Sequence, residues 1–252
     1  MRQLILALTV LLPGIALASG GGVHLQEANN DLNDKASLQA GAKLFVNYCM
    51  GCHSANYVRF QRIGKDLGIS NSELQENLMF NADKVGETMN IALDKSDVKR
   101  WFGVVPADLS VIARARGTDW LYTYLLSFYL DDSRPLGVNN LVFKDVGMPH
   151  VLWDRQGWQK PVYEVTTDAH GKTHQVLKTL ELVGKDKMSG NEYLAKVESY
   201  RKDVRDLVNF LDYIGEPNKL VRRSLGWKVI LFLVIFLGFA YALKKDYWKD
   251  VH

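Results

Sequence analysis

Both cysteines of this 252-residue chain fall within five residues, Cys49-Met50-Gly51-Cys52-His53. A C-x-x-C-H run admits three chemistries: a redox dithiol, part of a zinc site, or two thiols that bond covalently to a haem while the adjacent histidine faces its iron. A dithiol of the thioredoxin kind needs a strand–helix junction in an α/β chain, and the residues before Cys49 read as helix. A structural zinc needs about four ligands in a compact cluster. No third cysteine exists, and His24, His150, His170, His174 and His252 do not form a second ligand pair. Thiols three positions apart on one turn suit the two vinyl groups of one porphyrin. The spacing therefore predicts one covalent haem c, with Cys49 and Cys52 as thioethers and His53 as an iron ligand.

A second axial ligand decides what such a centre does. A thioether raises the potential and suits electron transfer, whereas an open iron suits sensing or peroxidase chemistry. Met79, Met89 and Met188 are available, but a methionine on a helix is commonly core filler. Met50 lies between the cysteines, on the wrong side for the far face. Met148 stands in a loop, Val146-Gly147-Met148-Pro149-His150, braced by glycine and proline. It is the leading candidate, with His150 its main rival.

The elements that must position these residues read as mainly helical. Ser37 is placed to cap a helix through Ser37–Cys49, whose apolar stripe is Leu38, Ala42, Phe45 and Val46. A second helix starts near Ser72. A third opens at Pro106 and runs through Ala107–Arg116 to Gly117. Residues 118–130 form an aromatic-rich amphipathic stretch, stopped by Asp131–Gly137. Two strands around Asp168–Lys172 form a hairpin, and a long helix runs from about Asn191 to Gly215. There is no internal repeat and no low-complexity segment.

The two ends carry apolar runs. Residues 1–18 combine Arg2, a leucine-rich core and Ala16-Leu17-Ala18, the pattern of an export signal. Residues 225–243 hold one charge, Lys228, and span about 28 Å as a helix, close to the thickness of a hydrocarbon core. Trp227, Tyr241, Tyr247 and Trp248 bracket this run as an aromatic belt. The expected organisation is a signal peptide at 1–18, a periplasmic domain at 19–218, a basic juxtamembrane link at 219–224, one transmembrane helix at 225–243 and a cytoplasmic tail at 244–252. Lys and Arg counts do not orient the span. The export signal does, and it places the domain outside the cytoplasm, in the periplasm or an equivalent space bounded by the cell inner membrane. The formal charge is +3, yet residues 19–218 carry a net −3, because seven basic and two acidic residues lie from Lys219 onward and Arg2 adds one charge before residue 19. An acidic body excludes nucleic acid and leaves room for a basic partner.

Four stretches, "SLQAGAKLFVNYCMGCHSANYVRF", "PADLSVIARARG", "GMP" and "DLVNFLDYIGEP" followed by "RRSLGWKVILF", occur in an order that resembles the cytochrome c1 family, the anchored haem subunits of ubiquinol–cytochrome c reductase. The resemblance implies a cytochrome c-like helical domain around one covalent haem, with a β-hairpin excursion and a single C-terminal transmembrane helix. It implies Cys49 and Cys52 as attachment sites, His53 as proximal ligand and Met148 as distal ligand. By the same match Pro106 begins a haem-flanking segment, Arg116 faces a propionate with Arg114 as substitute, and Trp120 is an aromatic near the haem edge. Gly41 and Phe45 would cross the last helix near Phe210 or Tyr213. Implied partners are cytochrome b, a Rieske iron–sulfur protein, a cytochrome c acceptor and membrane lipid, in a dimeric multi-subunit complex. Glu73, Glu76, Asp131 and Asp132 are candidates to meet a basic acceptor. The subunit would relay single electrons and have no substrate chemistry of its own. The alternatives are an anchored cytochrome c of an oxidase, or an open-site sensor or peroxidase if Met148 does not ligate.

The sequence departs from the family pattern in four places. Ala107 stands where a second proline is usual, and Lys99–Gly103 replaces a small polar stretch. His150 follows Met148-Pro149, and the hairpin region 159–190 is long.

Overall fold

The computed structural model of the chain describes residues 23–91, 93–167 and 173–250. The expected export signal over 1–18 lies outside these residues.

Helix α1 spans Lys35–Leu44. Its cap is Asp34 and not Ser37: the Asp34 carboxylate accepts from the Ser37 N–H at 3.0 Å. An acceptor-only carboxylate serves the free N–H groups of the first turn. The Ser37 hydroxyl is used elsewhere, donating to Asp206 Oδ1 at 2.7 Å. The stripe of Leu38, Ala42, Phe45 and Val46 is buried. Past Leu44 the helix widens into a π-helical turn, Phe45–Cys49, closed by the Met50 N–H to the Phe45 carbonyl at 2.9 Å. The wider turn leaves both Phe45 and Cys49 facing inward.

Strand β1 (Ala55–Arg59) pairs antiparallel with β2 (Thr88–Met89), and α2 (Phe60–Leu67) and α3 (Asn71–Asn77) lie between them in sequence. Helix α3 begins at a capping box, in which Ser70 and Glu73 satisfy each other's backbone N–H groups. Helix α4 spans Lys95–Phe102.

The helix expected from Pro106 does not form there; α5 covers only Ile112–Arg116. The reason is competition for the segment's polar groups, side chain as well as backbone. The Leu109 N–H goes to the Ser54 carbonyl at 2.8 Å, Asp108 accepts from the Asn56 N–H at 2.9 Å, and Ser110 Oγ accepts from the Tyr57 N–H at 3.1 Å. The segment is laced to the chain that follows Cys52 and cannot also coil.

Helix α6 (Thr118–Leu126) passes into β3 (Phe128–Leu130), which pairs with β4 (Val138–Asn140). Side chains take the last carbonyls of α6: Asn140 Nδ2 binds the Tyr124 oxygen, and both Gln156 and Gln159 bind that of Leu126. With those acceptors occupied the helix ends, and the aromatic stretch continues as strand. A short helix α7 (Trp153–Gln156) precedes the hairpin of β5 (Gln159–Thr167) and β6 (Thr173–Leu182).

Helix α8 (Gly190–Gly215) closes the core. It crosses α1 at Gly41, where a Cβ would stand 2.0 Å from the Asp206 carbonyl oxygen and 2.7 Å from Phe210 Cβ. Only a residue without a side chain admits that approach. Phe45 packs on Phe210 with ring centroids 5.6 Å apart, so Phe210, and not Tyr213, is the partner at the crossing. Helix α9 (Lys219–Tyr247) follows after three residues as one uninterrupted rod, so the link at 219–224 is itself helical. None of its residues is buried, and it is long and apolar enough to cross a membrane. The described chain is therefore mainly helical, its strands confined to three two-stranded pairs.

Candidate haem site

The C-x-x-C-H motif folds as a turn around one oxygen. The Cys49 carbonyl accepts from the Cys52 N–H at 3.0 Å and the His53 N–H at 2.8 Å. Cys49 and Cys52 are not bridged to each other. Burial, with Cys52 adding to it, pushes the Cys49 thiol up to about 12. Among the described residues no three His, Cys, Asp or Glu side chains converge as a metal site, against the zinc reading.

His53 Nδ1 lies 2.7 Å from the Ala107 carbonyl. A carbonyl can only accept, so Nδ1 carries the proton and Nε2 keeps its lone pair. Burial holds the ring below the usual histidine range, opposed by the Ala107 carbonyl and Asp108. The departure at Ala107 is harmless here, because the contact uses the backbone. Pro106 and Ala107 belong to the segment laced to residues 54–57, which fixes that carbonyl.

Met148 is half-buried, as Met188 is, and separates from Met50, Met79 and Met89. Met50, Met79 and Met89 belong to the main core, whereas Met148 packs on a second cluster of Phe128, Val138 and Val146. The Tyr124 hydroxyl donates to its Sδ at 3.3 Å. The two candidate ligand regions meet the same short segment. A Cβ on Gly147 would stand 3.2 Å from Val104 Cγ2, and three residues later Ala107 holds His53. His150 is buried differently. Its ring stacks on Phe128 at 4.9 Å with Trp158 at its edge, and its Nε2 has no partner. Burial drives it down to about 4, with Gln156 and Asp154 acting weakly the other way.

The two arginines of α5 also part company. Arg116 lies 5.0 Å over the Trp120 ring and, among the described residues, has no carboxylate partner. Arg114 packs 3.5 Å from the Cβ position of Gly215 and acts on Glu216. Two positions apart on a helix, they face opposite ways. Trp120 in turn stacks on Tyr124 at 5.1 Å and meets the edge of Phe143 at 6.5 Å. Val104 and Phe143, large apolar side chains of the segments carrying the site, are 51% and 45% exposed. A cavity of about 350 Å³ touches Met50 and Gly51, and another of about 750 Å³ is lined by Arg59, Arg62 and Lys65; neither reaches His53 or Met148.

A profile described as "Cytochrome C1 family" matches residues 26–251. The chain belongs to the cytochrome c1 family. A protein of Allochromatium vinosum named cytochrome c1 is 51% identical over the whole of both chains. A protein of Nitrosomonas europaea named ammonia monooxygenase gamma subunit is 46% identical over all of this chain and 99% of its own. A protein of Bradyrhizobium diazoefficiens named cytochrome b/c1 is 26% identical over 87% of this chain and 34% of its own. Membership of the cytochrome c1 family makes this a haem c cytochrome of a bc1-type complex, anchored in a membrane, and α9 serves as the candidate span.

Three contributors were not legible as such in the sequence: the Tyr124 hydroxyl, Val104 against Gly147, and the Ala107 carbonyl. Only Tyr124 left a signal, as an aromatic one helical turn after Trp120. Of the acidic candidates, Glu73 is occupied by its capping box, and Asp131 binds Ser133 and Asn139 within the β3–β4 turn. Glu76 and Asp132 remain exposed.

Proposed function

We propose that the chain is the anchored electron relay of a ubiquinol–cytochrome c reductase, taking single electrons from a Rieske iron–sulfur protein and passing them to a cytochrome c. One haem c would be held by thioethers at Cys49 and Cys52, with His53 and Met148 on its iron. The observation that carries this reading is the hydrogen bond from His53 Nδ1 to the Ala107 carbonyl, which leaves Nε2 free beside two thiols on one turn. Arg116, with no carboxylate partner among the described residues, and the half-covered Val104, Phe143 and Met148 suit a large apolar group with acidic edges.

Bound there, a haem c supplies reversible one-electron chemistry. A backbone oxygen orients His53 and fixes its tautomer, so Nε2 would be ready to hold an iron. Met148 offers a soft thioether, which favours the reduced iron and sets a high potential. Arg116 offers a guanidinium to a propionate. The half-covered apolar side chains would pack against the faces of such a group.

The relative named cytochrome b/c1, a third of which this chain matches, supports cytochrome b as the membrane partner. The acidic body, with Glu76 and Asp132 exposed, supports a basic acceptor. Residues 1–18 would direct export, 19–218 would lie in the periplasm, 225–243 would cross the cell inner membrane once, and 244–252 would end in the cytoplasm.

The test uses the full chain, matured with its haem and gently solubilised. Intact mass should exceed the polypeptide by one haem, and a Rieske protein and cytochrome b should co-purify. Met148→Leu should abolish the thioether–iron absorption band and lower the potential; an unchanged spectrum and potential overturn the ligand assignment. A second reading keeps the site and changes the complex, and the relative named ammonia monooxygenase gamma subunit favours it. Co-purification with a monooxygenase in place of a Rieske protein would decide for it.

A further inference from the structure

Tyr124 is a core-facing aromatic with an unusual errand for its hydroxyl. Trp120 stacks on one face of the ring, with planes 9° apart, and Phe128 meets it at 71°. Its carbonyl is tied by Asn140 Nδ2 at 2.8 Å and by the Ser127 N–H at 3.2 Å. Neither ring nor backbone has room to swing. Held this way, the hydroxyl donates to Met148 Sδ at 3.3 Å, the one hydrogen bond it makes among the described residues. A thioether is a weak acceptor. Phenylalanine would fill the same space without a buried hydroxyl to satisfy, so packing and stability give little reason for tyrosine here. The acceptor side is equally fixed. Gly147 abuts Val104, and Pro149 restricts the backbone of Met148.

We infer that Tyr124 is a tuning residue for the redox centre: its hydrogen bond to the Met148 sulfur raises the reduction potential. The inference rests on Met148 being the distal ligand. A thioether sulfur has two lone pairs, one for iron and one for the Tyr124 proton. The proton draws density from the sulfur and weakens its donation. A sulfur that donates less would stabilise the more positive, oxidised iron less, so reduction would become easier. The positive end of the O–H dipole points the same way and also disfavours the oxidised charge.

Tyr124→Phe in the full-length, haem-loaded protein removes the proton and keeps the ring. The loss of one neutral hydrogen bond's worth of bias is about threefold to tenfold in the redox equilibrium. For one electron that lowers the potential by about 28–59 mV. The thioether–iron band should persist, and adding Tyr124→Phe to Met148→Leu should change nothing further. An unchanged potential with the band intact overturns the inference and leaves the ligand standing. Loss of the band in Tyr124→Phe also overturns it, making Tyr124 a support of the ligand and not a tuner. A wild-type band and potential in Met148→Leu instead remove the ligand assignment beneath it.

Discussion

Replacing Gly41 with alanine tests whether one close crossing sets the core. The added Cβ would stand 2.0 Å from the Asp206 carbonyl oxygen and 2.7 Å from Phe210 Cβ. Ordinary contact needs about 3.3 Å, so α1 and α8 must part by about 1.3 Å locally. A gap of that order forfeits roughly half the dispersion well along the seam, including the Phe45–Phe210 contact. It also strains the Ser37–Asp206 and Ser37–Asn209 hydrogen bonds that bridge the same helices. Overpacking of this kind costs about 3–5 kcal/mol here, and the better helix propensity of alanine returns about 1. The net loss is about 2–4 kcal/mol, or a drop of about 5–15 °C in the midpoint of thermal unfolding. The assay is thermal unfolding of the haem-loaded protein followed by circular dichroism, with Gly190→Ala alongside. Gly190 has nothing within 4 Å of its Cβ position, so that control should change little. A Gly41→Ala midpoint within 2 °C of wild type would refute the reasoning.

Two further outcomes follow from the site. Burial drives His150 down to about 4, so on acidification the unfolded chain takes up this proton before the folded one does. The stability tied to the neutral ring is complete above about pH 6.5 and drains as the pH falls toward 4, by about 3 kcal/mol. His150→Phe keeps the stack on Phe128 and should flatten that part of a stability–pH profile measured by denaturant unfolding; an unaltered slope would exclude burial of the ring as its cause. Arg116→Gln should lower the midpoint potential in a redox titration, because a cation near the centre disfavours the oxidised charge, whereas Arg114→Gln should leave it in place. Equal shifts from both would contradict the opposite facing of the two side chains.

Periodicity and local chemistry carried a good part of this structure. The stripe through Phe45 and Val46, the long helix to Gly215 and the hairpin each rest on a pattern that acts within one element. The misses share a different cause. Ser37 and Asp34 are both competent caps, and the choice fell to Asp34 because the Ser37 hydroxyl is drawn to Asp206, 169 positions away. Residues 106–110 have a helical pattern, but their backbone is used by His53 and Ser54 and their side chains by Asn56 and Tyr57. Helix α6 ends where Asn140, Gln156 and Gln159 reach its carbonyls. In each case a polar group distant in sequence outbid the local propensity. The site followed the same division. C-x-x-C-H is a local motif and spoke for itself, whereas the pairing of Tyr124 with Met148 exists only once the chain is folded.

The junction between domain and anchor has a consequence for traffic around the protein. Only Glu216, Pro217 and Asn218 separate α8 from α9, and the joint is bolted on three sides. Lys219 grips both oxygens of Asp212 at 2.7 Å, Arg222 pairs with Glu216, and Arg62 reaches Asn218 at 2.9 Å. Such a joint restrains the swing of the domain on its stalk. If the chain relays electrons as proposed, it would serve as a fixed station and not as a shuttle, and its partners would do the travelling.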